Sequence, residues 1–417
     1  MSLRGEVVAI GDELLHGALL DTNSKWLAGA LERVGVVAQR FTVTGDDPAL
    51  CKEALAGACE RADVVVVTGG LGPTLDDRTR DVVAELLGGP LWFDEASWQQ
   101  IHDWLHRRGR PVPESNRRQA MLPPGARALD NQVGTAPGFA VRVGRATLFA
   151  VPGVPREMQD MVQRHVLPAT AALPGLTPTA HWWLRVLGPS EAALGERIEA
   201  WMVPGRNPAV GITASGGLLT VRVVGTAATA AEAEAACAAT AAELRGLLGD
   251  WLFAEGNADL PELLVQQLTA RGATVALAES CTGGQIAAQL VDVPGASAVL
   301  RGGVVAYSNA CKTELLGVPT ALLDQHGAVS EPVVEHMAAA IRERLDATFG
   351  VATSGIAGPE GGTADKPVGT VCFALATAAG VRSWTLRIPP LGRKFVRDRA
   401  VYEVWRALLA AQRAPTD

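Results

Sequence analysis

The stretch Val275–Gln285 reads V-A-L-A-E-S-C-T-G-G-Q, and its reading sets the class of the fold around it. A β-favouring apolar run stops at Glu279; a hydroxyl, a thiol and a second hydroxyl follow, then two glycines. Beyond them Ile286, Ala287, Leu290 and Val291 fall at helical spacing. The profile predicts a buried strand that turns sharply into a helix, with Ser280 at the bend. A helix start offers free N–H groups and the positive end of the helix dipole, which suits phosphates and developing oxyanions. Ser280 then has two readings, an ordinary N-cap and a nucleophile beside an oxyanion hole.

Around this stretch, 417 residues suggest about three domains at roughly 150 residues each. Hydrophobic residues at 48% and charged residues at 19% give ample core-forming material. The net charge of −7 comes without any block of like charge, so neither nucleic acid nor anionic lipid is an expected partner. The N-terminus, M-S-L-R-G-E-V-V-A-I-G, reads directly into a strand, and no apolar run approaches the roughly 18–20 residues of a membrane span. Six cysteines without a C-x-x-C pair predict reduced thiols in a cytoplasmic protein.

The opening third alternates strands and helices. Glu6–Ile10 predicts a strand, Asp21 or Thr22 caps a helix stopped by Gly35, and Val36–Val43 predicts a second strand. A helix from Asp46-Asp47-Pro48 to about Arg61 precedes D-V-V-V-V-T-G-G, the pattern of a central parallel strand buried on both faces. This order predicts a doubly wound α/β sheet, whose ligands sit at the carboxyl ends of its strands. At that edge lies T-G-G-L-G-P-T-L-D-D-R-T, Thr68–Thr79. Glycines allow close backbone approach, and Asp76, Asp77 and Thr79 are placed at the next helix start. The combination predicts a phosphate or metal–phosphate site, with Asp12 as a third carboxylate. Trp92–Arg110 predicts an amphipathic helix, Phe139–Val151 a hairpin and Pro155–Val166 a closing helix.

G-D-E-L-L-x-G with D-T-N-S, T-G-G-L-G-P-T-x-D-D-x-T, and V-P-G-V-P-x-E-M at Val151–Met158 together resemble the amino-terminal domain of the CinA family. That domain is similar to the molybdopterin-binding fold of the MoaB and MogA proteins. The resemblance covers about Met1–Pro168 and implies a metal-dependent ADP-ribose pyrophosphatase. It implies Mg²⁺, Mn²⁺ or Co²⁺ at Asp12, Asp76 and Asp77. It also implies a nucleotide site of Thr68, Gly69, Gly70, Gly72, Thr74, Thr79, Asp21, Asn23 and Lys25. Binding of a pterin- or nucleotide-like ligand without hydrolysis stays open.

After the linker-like Ala171–Ala180, a β-α-β-β-α order predicts a small α+β module, with Ser215-Gly216-Gly217 turning a hairpin. The order resembles a KH-like domain, but the G-x-x-G loop that clamps nucleic acid is absent. A spacer or dimerisation element is the expected role.

In the last third, Arg301–Lys312 predicts a strand ending near Tyr307, Ser308 and Asn309, with Lys312 in the next helix start. A lysine beside a serine nucleophile serves as general base when its pKa is lowered; the alternative is a surface lysine. Ser354–Val371, dense in glycine and proline between apolar strands, predicts a ligand-wrapping loop. Its Ser354, Gly355, Gly358, Gly361, Gly362 and Thr363 are placed to offer N–H groups to a phosphate, and Arg393 to add a cation.

A-E-S-C-T-G-G, A-Y-S-N-x-x-K and T-S-G-I-A-G-P-x-G-G-T-x-x-K-P-V-G-T-V are similar to the carboxy-terminal CinA domain, the PncC type of nicotinamide mononucleotide deamidase. The resemblance covers about Asp259–Ala411 and implies metal-free hydrolysis to nicotinate mononucleotide and ammonia. It implies Ser280 as nucleophile, Lys312 as base and Tyr307 assisting. Thr282, Gly283, Gly284, Ser308, Asn309, Arg393 and the Ser354–Thr363 loop are implied to hold oxyanion or substrate. The expected chain is a bifunctional pyridine-nucleotide recycling enzyme, a homodimer by family resemblance, with domains at 1–170, 171–255 and 256–417. The alternative is a competence-related interaction partner.

Overall fold

The computed structural model describes residues 3–256 and 258–412. The chain divides into two compact units, Met1–Ala180 with Gly225–Ala235, and His181–Val224 with Ala236–Asp417. Among the described residues no helix is long and apolar enough to cross a membrane. No disulfide links the six cysteines.

The first unit holds a six-stranded sheet in the order Val37–Thr44, Arg4–Ile10, Val64–Thr68, Ala146–Val151, Gly138–Val143, Arg127–Leu129. The first four strands run parallel, Gly138–Val143 runs antiparallel to them, and Arg127–Leu129 pairs antiparallel with Gly138–Val143. Strand alternation sends Val65 and Val67 into one core with Leu55 and Val83, and Val64 and Val66 into another with Leu27 and Met161. Helices thus cover both faces, the doubly wound α/β arrangement expected from the V-V-V-V run. Helices Thr22–Arg33 and Pro48–Arg61 start on the side chains of Asp21 and Asp47.

Three expectations change here. Helix Glu95–His106 is shorter than Trp92–Arg110, because Trp92–Phe93 pairs as a strand with Met121–Leu122. The helix from Pro155 continues through a π turn at Val162–Val166 to Ala171, into the stretch expected as linker. Asp76 and Asp77, expected at the next helix start, stand just before it: Thr79–Leu87 starts on Arg78 with no side-chain cap.

The second unit holds two sheets. The smaller has the order Ala209–Ser215, Leu218–Thr226, Thr179–Val186, Leu252–Gly256, with the expected hairpin turn at Gly216–Gly217. The larger has the order Leu300–Val305, Val275–Glu279, Phe349–Gly355, Thr370–Thr377, Gly380–Arg387. Its first three strands are parallel, Thr370–Thr377 runs antiparallel to them, and Gly380–Arg387 pairs antiparallel with Thr370–Thr377. Helix Glu331–Arg344 covers one face of this sheet and helix Arg393–Ala411 the other.

Candidate active sites

Ser280 follows the middle of three parallel strands, so the ends of its two neighbours, Val305 and Gly355, flank it at the carboxyl edge. The N-cap reading of Ser280 is corrected. The helix begins only at Gln285, on Gly284 in the left-handed region. Four turn residues, 281–284, separate the serine from it. The helix is capped instead by Glu279, 2% exposed, whose Oε1 accepts from Ala287 N at 2.9 Å and Oε2 from Ile286 N at 3.2 Å. The sequence reading missed this role because a carboxylate closing a strand gives no capping signal at so long a separation. Glu279→Ala is expected to lower stability by roughly 2 kcal/mol, since it orphans two helix-terminal N–H groups. Glu279→Gln, whose amide oxygen still accepts, is expected to recover part of that loss in denaturant unfolding.

Freed from capping, Ser280 Oγ lies 3.2 Å from Lys312 Nζ, which also donates to Ala306 O at 2.9 Å. The lysine is 1% exposed. Desolvation lowers its pKa from the ordinary 10.5, and among the described residues no carboxylate pairs with it to hold the charge. Ser308 accepts from Cys311 N as the N-cap of helix Asn309–Leu316, and so aims Lys312 at the serine; Asn309 is the first, exposed residue of that helix. The N–H groups of Thr282 and Gly284 have no hydrogen-bond partner among the described residues. Thr282 Oγ1 pairs with Thr353 Oγ1 at 2.8 Å. Gly283 and Gly284, with φ of 62° and 86°, take the left-handed turn that brings these groups round.

Tyr307 is exposed, and its hydroxyl accepts from Arg393 Nη2 at 2.7 Å, while Arg393 Nη1 donates to Gly358 O at 2.9 Å. Arg393 thereby joins the tyrosine to the 354–363 loop. Ser354 is buried and donates to Ala328 O at 2.7 Å, so its hydroxyl braces the loop. Gly355 continues the strand; Gly361, Gly362 and Thr363 are exposed, and Thr363 N donates to Lys366 O. Two further residues belong here. Arg397 Nη2 donates to Thr282 O at 2.7 Å, and Lys366 Nζ to His326 O at 2.6 Å. The i, i+4 spacing of Arg393 and Arg397 at a helix start was the available signal for the first.

In the first unit, a cleft of about 540 Å³ opens at the carboxyl ends of the parallel strands, lined by Gly69–Asp77 residues, Asp46 and Glu157 among others. Thr68 Oγ1 donates to Pro152 O, and Asn23 Nδ2 to Thr68 Oγ1 and Gly153 O. Thr79 Oγ1 donates to Gly69 O at 2.9 Å. The N–H groups of Gly70 and Leu71 have no partner among the described residues. Asp21 caps its helix through Ser24 N and, with Asn23 and Thr68, lines an adjoining hollow of about 200 Å³; Lys25 is exposed.

The three expected metal carboxylates differ in their surroundings. Asp77 turns back on its own loop, accepting from Gly72 N at 2.7 Å and from both Thr74 N and Thr74 Oγ1. Among the described residues no group of three or more His, Cys, Asp or Glu is placed to hold a metal ion. Asp12 and Asp46 exchange backbone-to-carboxylate hydrogen bonds across the cleft rim. Burial raises the Asp46 pKa, and the charges of Asp12, Asp76 and Glu13 add to that. Like charges crowded at a cleft fit a hard divalent ion that takes only one or two carboxylates and completes its shell with water and phosphate. Burial also raises Glu157, whose partner Asn131 donates to it at 2.7 Å.

Residues 257–411 match the family "CinA C-terminal domain", 6–172 "Probable molybdopterin binding domain" and 181–254 "Damage-inducible protein CinA KH domain". A "CinA-like protein" of Anaeromyxobacter sp. (strain Fw109-5) is 43% identical over 99% of this chain and 100% of its own. The chain belongs to the CinA family. Another relative of this CinA-family chain, "Nicotinamide-nucleotide amidohydrolase PncC" of Shewanella oneidensis, is 40% identical over 99% of this chain and 97% of its own. The solved "competence/damage inducible protein CihA" of Agrobacterium tumefaciens is 39% identical over 37% of this chain and 96% of its own, with a TM-score of 0.35.

Proposed function

We propose that the second unit hydrolyses the amide of nicotinamide mononucleotide. The observation that carries the reading is Lys312, a buried amine without a counter-carboxylate, 3.2 Å from Ser280 Oγ. The Shewanella relative's name supports the substrate. Neutral Lys312 accepts the Oγ proton as Ser280 Oγ bonds to the amide carbon. The carbonyl pair moves to oxygen, where N–H groups of the 281–284 turn stabilise it. The lysine returns the proton to nitrogen, the C–N bond breaks and ammonia leaves. Water, deprotonated by Lys312, then attacks the ester carbon; the C–Oγ bond breaks, the lysine returns the proton to Ser280 Oγ and nicotinate mononucleotide leaves. Arg393, Arg397 and the 354–363 loop supply positive charge and N–H groups for the 5′-phosphate, with Tyr307 held by Arg393 against the substrate. Ammonia release by wild type and Ser280→Ala decides: a variant as active as wild type sinks the mechanism.

For the first unit we propose a metal-dependent ADP-ribose pyrophosphatase. The free N–H groups of Gly70 and Leu71 support phosphate binding there, and Asp12 and Asp46, bonded to each other's backbone at the rim, offer carboxylates for a divalent ion. A divalent ion held by those carboxylates would neutralise phosphate charge. Glu157, fixed by Asn131, would take a proton from the attacking water. ADP-ribose hydrolysis measured with and without Mg²⁺, Mn²⁺ or Co²⁺ tests this, and no turnover with any ion leaves a ligand-binding module. The reading includes a cytoplasmic homodimer, checked by light scattering of the full chain.

A further inference from the structure

The small module before the last domain takes no part in the chemistry above, yet its hairpin turn rests on the helix that supplies the cations. Gly216 and Gly217, with φ of 56° and 82°, form a two-residue turn between paired Ser215 and Leu218. A Cβ on Gly216 would lie 3.0 Å from Asp398 Cβ and 3.3 Å from Asp398 Oδ2. On Gly217 it would lie 2.9 Å from Arg399 Cδ and 3.2 Å from Phe395 Cζ. The turn backbone therefore lies directly against one turn of the closing helix, Phe395–Arg399.

That same helical turn reaches the serine bend. Asp398 Oδ1 accepts from Gln285 Nε2 at 2.7 Å, and Asp398 Oδ2 from Lys394 Nζ at 2.6 Å. Gln285 is the first residue after the 281–284 turn, and neighbouring Arg397 holds Thr282 O. The contact is anchored from below: Leu187, Leu218, Phe253 and Ala254 of the module share one buried cluster with Val401 and Trp405 of the helix.

We propose that the Gly216–Gly217 turn is a positioning element for the amide-hydrolysing site, acting through Asp398 on Gln285 and so on the N–H groups of the 281–284 turn. The inference rests on the amidase reading. Oxyanion donors act only when aimed to within a fraction of an ångström, and a 1 Å displacement costs about 10²-fold in rate. Gly216, Gly217 and Asp398 touch no reacting atom; they set where the donors point. The hairpin turn thereby gives the module a part in the amidase site.

The test compares ammonia release from nicotinamide mononucleotide by the full chain, by Gly216→Ala/Gly217→Ala, by Asp398→Ala and by the triple variant. The turn variant and Asp398→Ala are each expected to lower kcat about tenfold with KM within about twofold, the pattern of a lost transition-state interaction. The triple variant is expected to fall less than about threefold below the worse of the two, because coupled sites are not additive. Asp398→Asn, which keeps the side chain's shape and loses its charge, is expected to fall between wild type and Asp398→Ala and guards against simple unfolding. Wild-type kcat in the turn variant, multiplicative losses in the triple variant, or a lowered melting temperature with unchanged kcat each overturn the inference alone. A wild-type chain inert toward the mononucleotide overturns the amidase reading and the inference with it.

Discussion

Lys312→Met is expected to cut ammonia release from nicotinamide mononucleotide by roughly 10²–10⁴-fold, the usual contribution of a positioned general base. The same variant is expected to melt at or above the wild-type temperature. The two effects have one cause. Lys312 is sealed from water with Ser280 Oγ and Ala306 O as its hydrogen-bond partners, so its charged form loses hydration without gaining an ion pair. Desolvation is the largest influence on its pKa and lowers it from 10.5; nearby Cys281 and Cys311 oppose that only when ionised. Burial pushes the Cys281 thiol up to about 12, so it is neutral where the lysine titrates.

The sign follows from the lowered value. Between the folded pKa and the ordinary 10.5 the unfolded chain binds more protons than the folded one, so this group's contribution to stability rises with pH through that window and is flat on either side of it. Activity moves in the same direction, since only the neutral amine accepts the serine proton. The wild-type kcat/KM profile is expected to climb along a limb below the ordinary lysine range, and Lys312→Met is expected to lose that limb. Lys312→Arg does not rescue, because a guanidinium stays protonated. A methionine variant within tenfold of wild type, or one that keeps the limb, would remove Lys312 from the mechanism.

The sequence carried the parallel strands of both large sheets and the residues at their carboxyl ends, because apolar runs are local signals, but not the edge strand Arg127–Leu129. Val64–Thr68 and Val275–Glu279 are such runs, each buried along its whole length. It carried Ser280 and Lys312 as candidates, and the fold brings them together across 32 residues. It did not carry the cap. Glu279 lies at the strand's end, and its hydrogen bonds to Ile286 and Ala287 depend on how tightly the 281–284 turn closes, a tertiary fact. Asp77 was misplaced for the opposite reason. Its D-D-R-T context fits a helix start, yet the carboxylate finds the Gly72 and Thr74 donors first, a loop preference typical of aspartate. Arg397 and Asp398 were legible only as helix-surface charges, since their partners Thr282 and Gln285 lie more than a hundred residues away.

Gly69→Ala is expected to destabilise the first unit by roughly 3–5 kcal/mol, the sum of a left-handed backbone cost and overpacking against immobile atoms. Gly69 has φ 109°, and a Cβ there would lie 2.1 Å from Ile10 O and 3.1 Å from Ile10 C. Both are backbone atoms at the end of a strand that pairs with Val64–Thr68, so relief requires prising the two strand ends apart. Those ends frame the cleft, and Gly69 O also holds Thr79 Oγ1 at the start of the next helix. Gly70→Ala separates the two costs. It has φ 64°, and its Cβ would meet Thr79 Oγ1 at 2.2 Å, a side-chain atom able to rotate at the loss of one hydrogen bond. Its expected cost is about 1–2 kcal/mol. Urea unfolding followed through Trp26, Trp92, Trp98 and Trp104 reads both, and ADP-ribose titration reads the cleft. If Gly69→Ala unfolds at the wild-type midpoint, or more mildly than Gly70→Ala, close backbone approach is not what the glycines of this loop provide. If the expected order holds, the T-G-G-L-G sequence serves to bring one strand end against its neighbour's carbonyl, and the free N–H groups of Gly70 and Leu71 are exposed by a rigid turn.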